Sequence, residues 1–346
     1  MDIKDKKTGR KGIIHVIVFI IIMILTFYAV LRGQDLFQIW EALGHMSAAY
    51  FLMAILTALF FVCIEGGLLW YLLKSMGDSK SGFLRCISYS FIGFFYSSIT
   101  PSASGGQPMQ LYYMNQDGNS LSGSSVALMT VALLYKFVLV MIGICMTIFW
   151  YIPLKGYLQK YFGLYFLGLA LNTGLVIVLL AAMMMPDQMK ALIEGIEGLL
   201  VRFRVLKYSD RRKEKIGHFI EGYRNAERYL ILHKGRMALM TAIAVIQRFS
   251  VFYLTVLVYQ GFSLQGVGFM TIMLLQAAVY ITVDMLPLPG AQGITELVYC
   301  RIFSKVFTGG YLMPSLYVTR GINFYFLLFL SLCVEIGNQM REKAAK

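Results

Sequence analysis

Six apolar runs, at 13–31, 49–73, 124–151, 162–185, 236–259 and 312–338, each come close to or exceed the roughly 20 residues an α-helix needs to cross the hydrocarbon core of a bilayer. No aqueous fold buries so many runs of that length. A mean hydropathy of +0.67, with 58% apolar and 14% charged residues, likewise excludes a soluble domain. The expected fold class is an all-α polytopic membrane protein, one membrane domain over residues 1–346. It has about six full spans and two further apolar stretches, 85–115 and 267–308, that are broken internally.

Charge orients the spans. Lys4, Lys6, Lys7, Arg10 and Lys11 precede the first run, so the positive-inside rule places the N-terminus in the cytoplasm. The 187–236 connection carries 12 basic and seven acidic residues and belongs on the same side, as do Arg341, Lys343 and Lys346. The run 124–151 must then lead outward, so that 162–185 returns the chain to the basic connection. Parity therefore makes 85–115 enter and leave from the cytoplasm, and 267–308 start and finish outside. Both are expected to be re-entrant hairpins, in a first half at 12–185 and a second half at 236–338. Interrupted stretches at matching places in two inverted halves point to a midplane binding site of the kind secondary transporters use. An offset of 186 residues sets Pro101 on Pro287, Leu111 on Leu297 and Tyr113 on Tyr299.

Within the basic connection, 187–235, Leu192, Ile193, Ile196, Leu199, Leu200 and Phe203 share one helical face, and Ile216, Phe219, Ile220 and Tyr223 share another. Two amphipathic helices on the inner leaflet are expected there. The net charge of +13 is thus assigned to anionic headgroups, and no nucleic acid is expected as a partner.

The first break reads Ser97-Ser98-Ile99-Thr100-Pro101-Ser102-Ala103-Ser104-Gly105-Gly106-Gln107-Pro108. Irregular backbone at membrane depth survives only inside protein or along a wet cavity, and small hydroxyl residues supply its hydrogen-bond partners. Pro108 suits the first turn of a new helix, whose unpaired N–H groups, aided by Gly105 and Gly106, can hold an anion such as a lipid phosphate. The second break, Leu286-Pro287-Leu288-Pro289-Gly290-Ala291-Gln292-Gly293-Ile294-Thr295-Glu296, opens a helix in the same manner. Glu296 falls in that helix's first turn, and Arg301 and Lys305 share a helix face one turn apart.

A lone charge inside a spanning helix is costly, which marks it as functional or paired. Glu65, Lys136, Arg248, Asp284, Glu296, Arg301, Lys305, Arg320 and Glu335 all lie at such depth. Lys136, near the middle of its run, and Arg320 are the strongest candidates for an anionic headgroup. Each can instead pair internally with Glu65, Asp284 or Glu296. Arg248 and Glu335 rank lower. The four histidines are scattered, the five cysteines form no CxxC pair, and there is no P-loop or GxGxxG. No metal, cofactor or catalytic residue is expected. No GxxxG pair supports helix dimerisation, and homo-oligomerisation is left open.

Gly93-Phe94-Phe95-Tyr96-Ser97-Ser98-Ile99-Thr100-Pro101, followed by Gly105-Gly106-Gln107-Pro108 and Tyr112-Tyr113, resembles a signature segment of the lysylphosphatidylglycerol synthase transmembrane family. Pro287 to Glu296 is similar to that family's second signature, and Arg320 to Tyr325 to its late Arg-x-x-x-x-Tyr element. The likeness runs over about 13–338, with Gln107 where an acid is common and Tyr135-Lys136 where Glu-Arg is usual. In members of the multiple peptide resistance factor type this domain is a flippase for aminoacylated phosphatidylglycerol in the bacterial plasma membrane, and a separate cytosolic domain performs the aminoacylation. The resemblance therefore implies a lipid flippase without the synthase domain. Its expected lipid-binding residues are Lys136, Arg320, Gly105, Gly106, Gln107, Pro108, Tyr112, Gly290, Gly293, Glu296 and Arg301. The expected partners are phospholipids and a separate lipid aminoacyl synthase. The rival readings are a phosphatidylglycerol lysyltransferase-type enzyme and an accessory subunit that presents lipid to that synthase.

Overall fold

Apolar runs free of internal glycine-proline breaks form long helices, and the proline-rich sites stop them. The computed structural model describes residues 44–77, 80–185 and 210–344, with a few isolated positions besides. The predicted span at 13–31 and most of the predicted amphipathic helix at 192–203 lie outside the described residues. The chain begins with α1 (Ala48–Ser75), α2 (Phe83–Ile99), α3 (Gly106–Gln116) and α4 (Leu121–Phe149), followed by the short α5 (Tyr151–Leu158) and by α6 (Phe162–Met184). After the connection come α7 (Asp210–Leu232), α8 (Lys234–Gly261), α9 (Phe269–Val283), α10 (Ile294–Phe303) and α11 (Leu312–Arg320). A π-helical segment, Gly321–Phe326, then leads into α12 (Leu327–Ala344). Five helical runs among the described residues are long and apolar enough to span: α1, α4, α5 with α6, α8, and α11 through Arg341. The protein is an all-α polytopic membrane protein. Its outer surface carries Ile148, Ile177, Val178 and Phe329, each more than 60% exposed, an apolar coat that suits lipid rather than water.

The connection helix α7 packs on α4, with Ile220, Tyr223 and Ala226 buried, so protein covers that part of its apolar face. The Tyr223 hydroxyl donates to the Ala182 carbonyl at 3.0 Å. Burial, helped by nearby Glu227, pushes its phenol up to about 12, which keeps the donor proton in place at any physiological pH.

Both predicted interruptions are present as helix, break and helix; their backbones begin alike and then diverge, with Ser104 and Gly105 in the right-handed helical region where Gln292 is extended and Gly293 has φ +80°. Thr100 (φ −115°, ψ 145°) and Leu288 (φ −115°, ψ 136°) are extended because each precedes a proline. Pro101–Ala103 and Pro289–Ala291 then form single 3₁₀ turns that end on alanines with positive φ, 54° and 49°. The new helices begin five residues after each proline, at Gly106 and Ile294. The structural offset is therefore 188 residues, which sets Pro101 on Pro289 and Gly105 on Gly293. The 186-residue offset expected from sequence chose Pro287, the wrong member of a closely spaced proline pair. The two 3₁₀ turns pack against each other, so the tips of the two hairpins meet, with Pro101 and Ala103 still exposed and Pro289 half-buried.

Close approach of the halves requires small residues at one point in particular. A Cβ on Gly168 of α6 would stand 2.0 Å from the Ile281 carbonyl oxygen of α9, so only glycine permits these backbones to touch.

Candidate functional site

Where the hairpin tips meet, the helices line an open cavity of about 530 Å³. Its walls come from both halves: Glu65 on α1, Gln107 and Gln110 on α3, Lys136 on α4, Asp284 at the end of α9, and Arg320 at the end of α11. Apolar residues such as Phe61, Val131 and Leu179 complete it. A volume of this size with a few convergent polar groups is that of a small-molecule or headgroup site.

Arg320 is held from three sides. Its Nε donates to Glu296 Oε1 at 2.8 Å, an Nη donates to the Gly290 carbonyl at 3.2 Å, and the guanidinium lies 4.5 Å from the centre of the Phe324 ring. Gly290 is required here, because it has φ +58° and a Cβ would stand 2.4 Å from Phe324. The π-helical turn directly after Arg320 carries Phe324 under the guanidinium, a local rewinding often found at functional sites. Glu296 retains one buried oxygen, Oε2, with no hydrogen-bond partner among the described residues, and the Gln292 side-chain amide is in the same condition.

Lys136 crosses to the other half. Its ammonium pairs with the Asp284 carboxylate and donates to Asn172 Oδ1 at 3.3 Å. Asn172 is oriented in turn by donating to the Gly168 carbonyl at 2.9 Å, at the point where the halves touch. Of the internal partners open to Lys136, Asp284 takes the role and Glu65 does not. Glu65 instead accepts from Gln110 Nε2 at 3.1 Å. Arg248 is fully buried behind Tyr135, with its guanidinium 3.5 Å from that ring's centre and flanked by Tyr280 and Phe252. None of its nitrogens has a hydrogen-bond partner among the described residues. Three acids and three bases thus surround the cavity, so its formal charge balances when all are ionised.

The sequence-predicted residues divide clearly by place. Gln107, Lys136, Gly290 and Arg320 line the cavity, and Glu296 stands behind Arg320 as its counter-charge. Gly105, Gly106 and Pro108 form the start of α3, where the Gly105 N–H is already donated to Thr100 Oγ1 at 2.9 Å. Gly293, with φ +80°, caps α10. Tyr112 and Arg301 are exposed and outside the cavity lining. Sequence reasoning ranked Arg248 below Lys136 and Arg320, noted Tyr135 only as a departure from the family's pattern, and did not place Gln110 in the site. For Arg248 the signal was its place midway along 236–259, as far from water as a span allows. Among the described residues no group of His, Cys, Asp and Glu forms a metal site.

The fold and site define a class: a multi-pass membrane protein with a charged cavity between two broken-helix hairpins. Residues 13–331 match the family described as the lysylphosphatidylglycerol synthase TM region, and the chain belongs to that family. It is thereby a membrane protein tied to lipid handling. The comparison with curated proteins gives no match.

Proposed function

We propose that the chain is a lipid flippase of the bacterial plasma membrane, which carries the headgroup of an anionic or aminoacylated phospholipid through the cavity while the acyl chains stay in the bilayer. The observation that carries this reading is the cavity itself, at the meeting point of the two hairpin tips, with a cation from each half on its wall. A headgroup phosphate entering it competes with Asp284 for Lys136 and with Glu296 for Arg320. The unmet hydrogen-bonding capacity of Gln292 and Glu296 lies beside that path. Tips that meet are what re-entry from opposite faces requires, and with both termini cytoplasmic the first hairpin opens inward and the second outward. Exchange of the cations between their own acids and the lipid then accompanies alternating access.

The test is leaflet exchange of fluorescent phosphatidylglycerol and lysyl-phosphatidylglycerol in proteoliposomes of the purified chain. Exchange well above that of protein-free vesicles supports the reading. No exchange of either lipid overturns it, and chain-dependent formation of lysyl-phosphatidylglycerol in cells that lack a synthase would replace it with the enzyme.

A further inference from the structure

Glu65 is the one carboxylate on the cavity wall that forms no ion pair among the described residues. Asp284 has Lys136, and Glu296, behind the wall, has Arg320. The charged and titratable groups that share the cavity wall with Glu65 come from several helices, and the π-helical segment packed on α1 adds Tyr325. On α4 they are Tyr135 and the committed Lys136. On and after α9 they are Tyr280 and Asp284, on α10 Tyr299, and at the end of α11 Arg320. Arg248 of α8 lies beyond the Tyr135 ring. On α2 the charged Arg85 and the hydroxyl of Tyr89 are engaged with Asp117.

What Glu65 has instead of a cation is an amide. Gln110 is 4% exposed and seated against Gly93, where a Cβ would stand 2.4 Å from the amide carbon and nitrogen. Gln110 on α3 and Ser90 on α2 thus set neutral groups against this carboxylate. A lysine or arginine would serve only the ionised acid. A glutamine serves both forms, donating through Nε2 to the carboxylate and, with the amide turned over, accepting through Oε1 from the protonated acid. A carboxylate with no cation paired directly to it is costly at membrane depth, and binding a proton removes the charge.

We propose that Glu65 is a proton-binding site that couples headgroup movement to the transmembrane proton gradient, an inference that rests on the flippase reading. When a phosphate enters, the cavity gains negative charge. One proton from the water on that side forms the O–H bond on Glu65 and offsets it. When the phosphate leaves on the other side, that O–H bond breaks and the same proton is released there. One proton accompanies each lipid, with no other reactant.

The first measurement is an infrared pH titration of the full chain in phosphatidylcholine bilayers, which reads the protonated-carboxyl band without any transported lipid. Wild type is expected to show a band that titrates across the range of pH open to a cell, and Glu65→Gln to lack it. The second imposes a one-unit pH gradient on proteoliposomes with fluorescent phosphatidylglycerol. At full coupling, one proton per lipid biases the leaflet ratio by about tenfold, and in Glu65→Gln the ratio falls to one. Thermal melting confirms that this near-isosteric variant folds. Absence of a Glu65-dependent infrared band overturns the proton site, and an equal gradient response in both proteins overturns the coupling. Absence of any lipid exchange in wild type sinks the flippase reading and the coupling with it, and the infrared titration still decides the proton site.

Discussion

Gly168 and Gly174 lie on the same helix and nothing in the sequence separates them, yet the fold treats them oppositely. At Gly168 a methyl group would meet the backbone carbonyl of Ile281 in the other half, whereas at Gly174 a Cβ finds nothing within 4 Å. Alanine is the better helix former by about 1 kcal/mol. At Gly168 that gain is outweighed by an overpacking cost of about 1–3 kcal/mol, because backbone cannot rotate out of the way as a side chain does. Gly168→Ala is therefore expected to lower the melting temperature of the purified protein and Gly174→Ala to leave it level or raise it. Equal shifts would refute the close contact of α6 with α9. Single residues were readable where chemistry made them expensive. Lys136, Asp284, Glu296 and Arg320 all stood out as charges in apolar runs, but which acid serves which base depends on three-dimensional register that no spacing rule carries. Tyr135 and Gln110 are ordinary residue types for a buried helix, so no cost marked them.

The hairpins were the most readable elements, since proline disfavours a helical residue before it and glycine tolerates the turns that follow. Their exact register was not, because Pro287 and Pro289 satisfy the same rule and only tertiary packing selects Pro289 as the start of the turn. The shared alanine at the end of each turn gives this element its test. A non-glycine residue in the left-handed region costs about 1–2 kcal/mol, so Ala103→Gly and Ala291→Gly relieve strain that roughly offsets the extra freedom glycine gives the unfolded chain. Neither is expected to lose stability. Ala170→Gly, at an exposed position within α6, is expected to lose about 1 kcal/mol. Melting curves of the three variants check this. Comparable losses in all three would show that the two turns are not left-handed in the folded protein.

Across the whole molecule, the Lys136–Asp284 pair joins the first half to the second at the cavity, and it can act as a mechanical tie, a headgroup site, or both. The side chains are 15% and 19% exposed, so removing one partner strands the other charge in a poorly solvated place. That loss is typically about 3–5 kcal/mol for a buried pair, while removing both partners together is often close to neutral. Lys136→Met and Asp284→Met are each expected to melt well below wild type, and the double variant to recover most of the difference. Transport separates the roles. If the lysine receives the lipid phosphate, the double variant folds but exchanges lipid much more slowly, because apolar contact replaces the tie and cannot replace the cation. If the pair is a tie alone, the double variant recovers exchange along with stability. Measuring melting temperature and leaflet exchange on the same four proteins, wild type included, decides the matter, and full exchange in a stable double variant would remove Lys136 from the binding site.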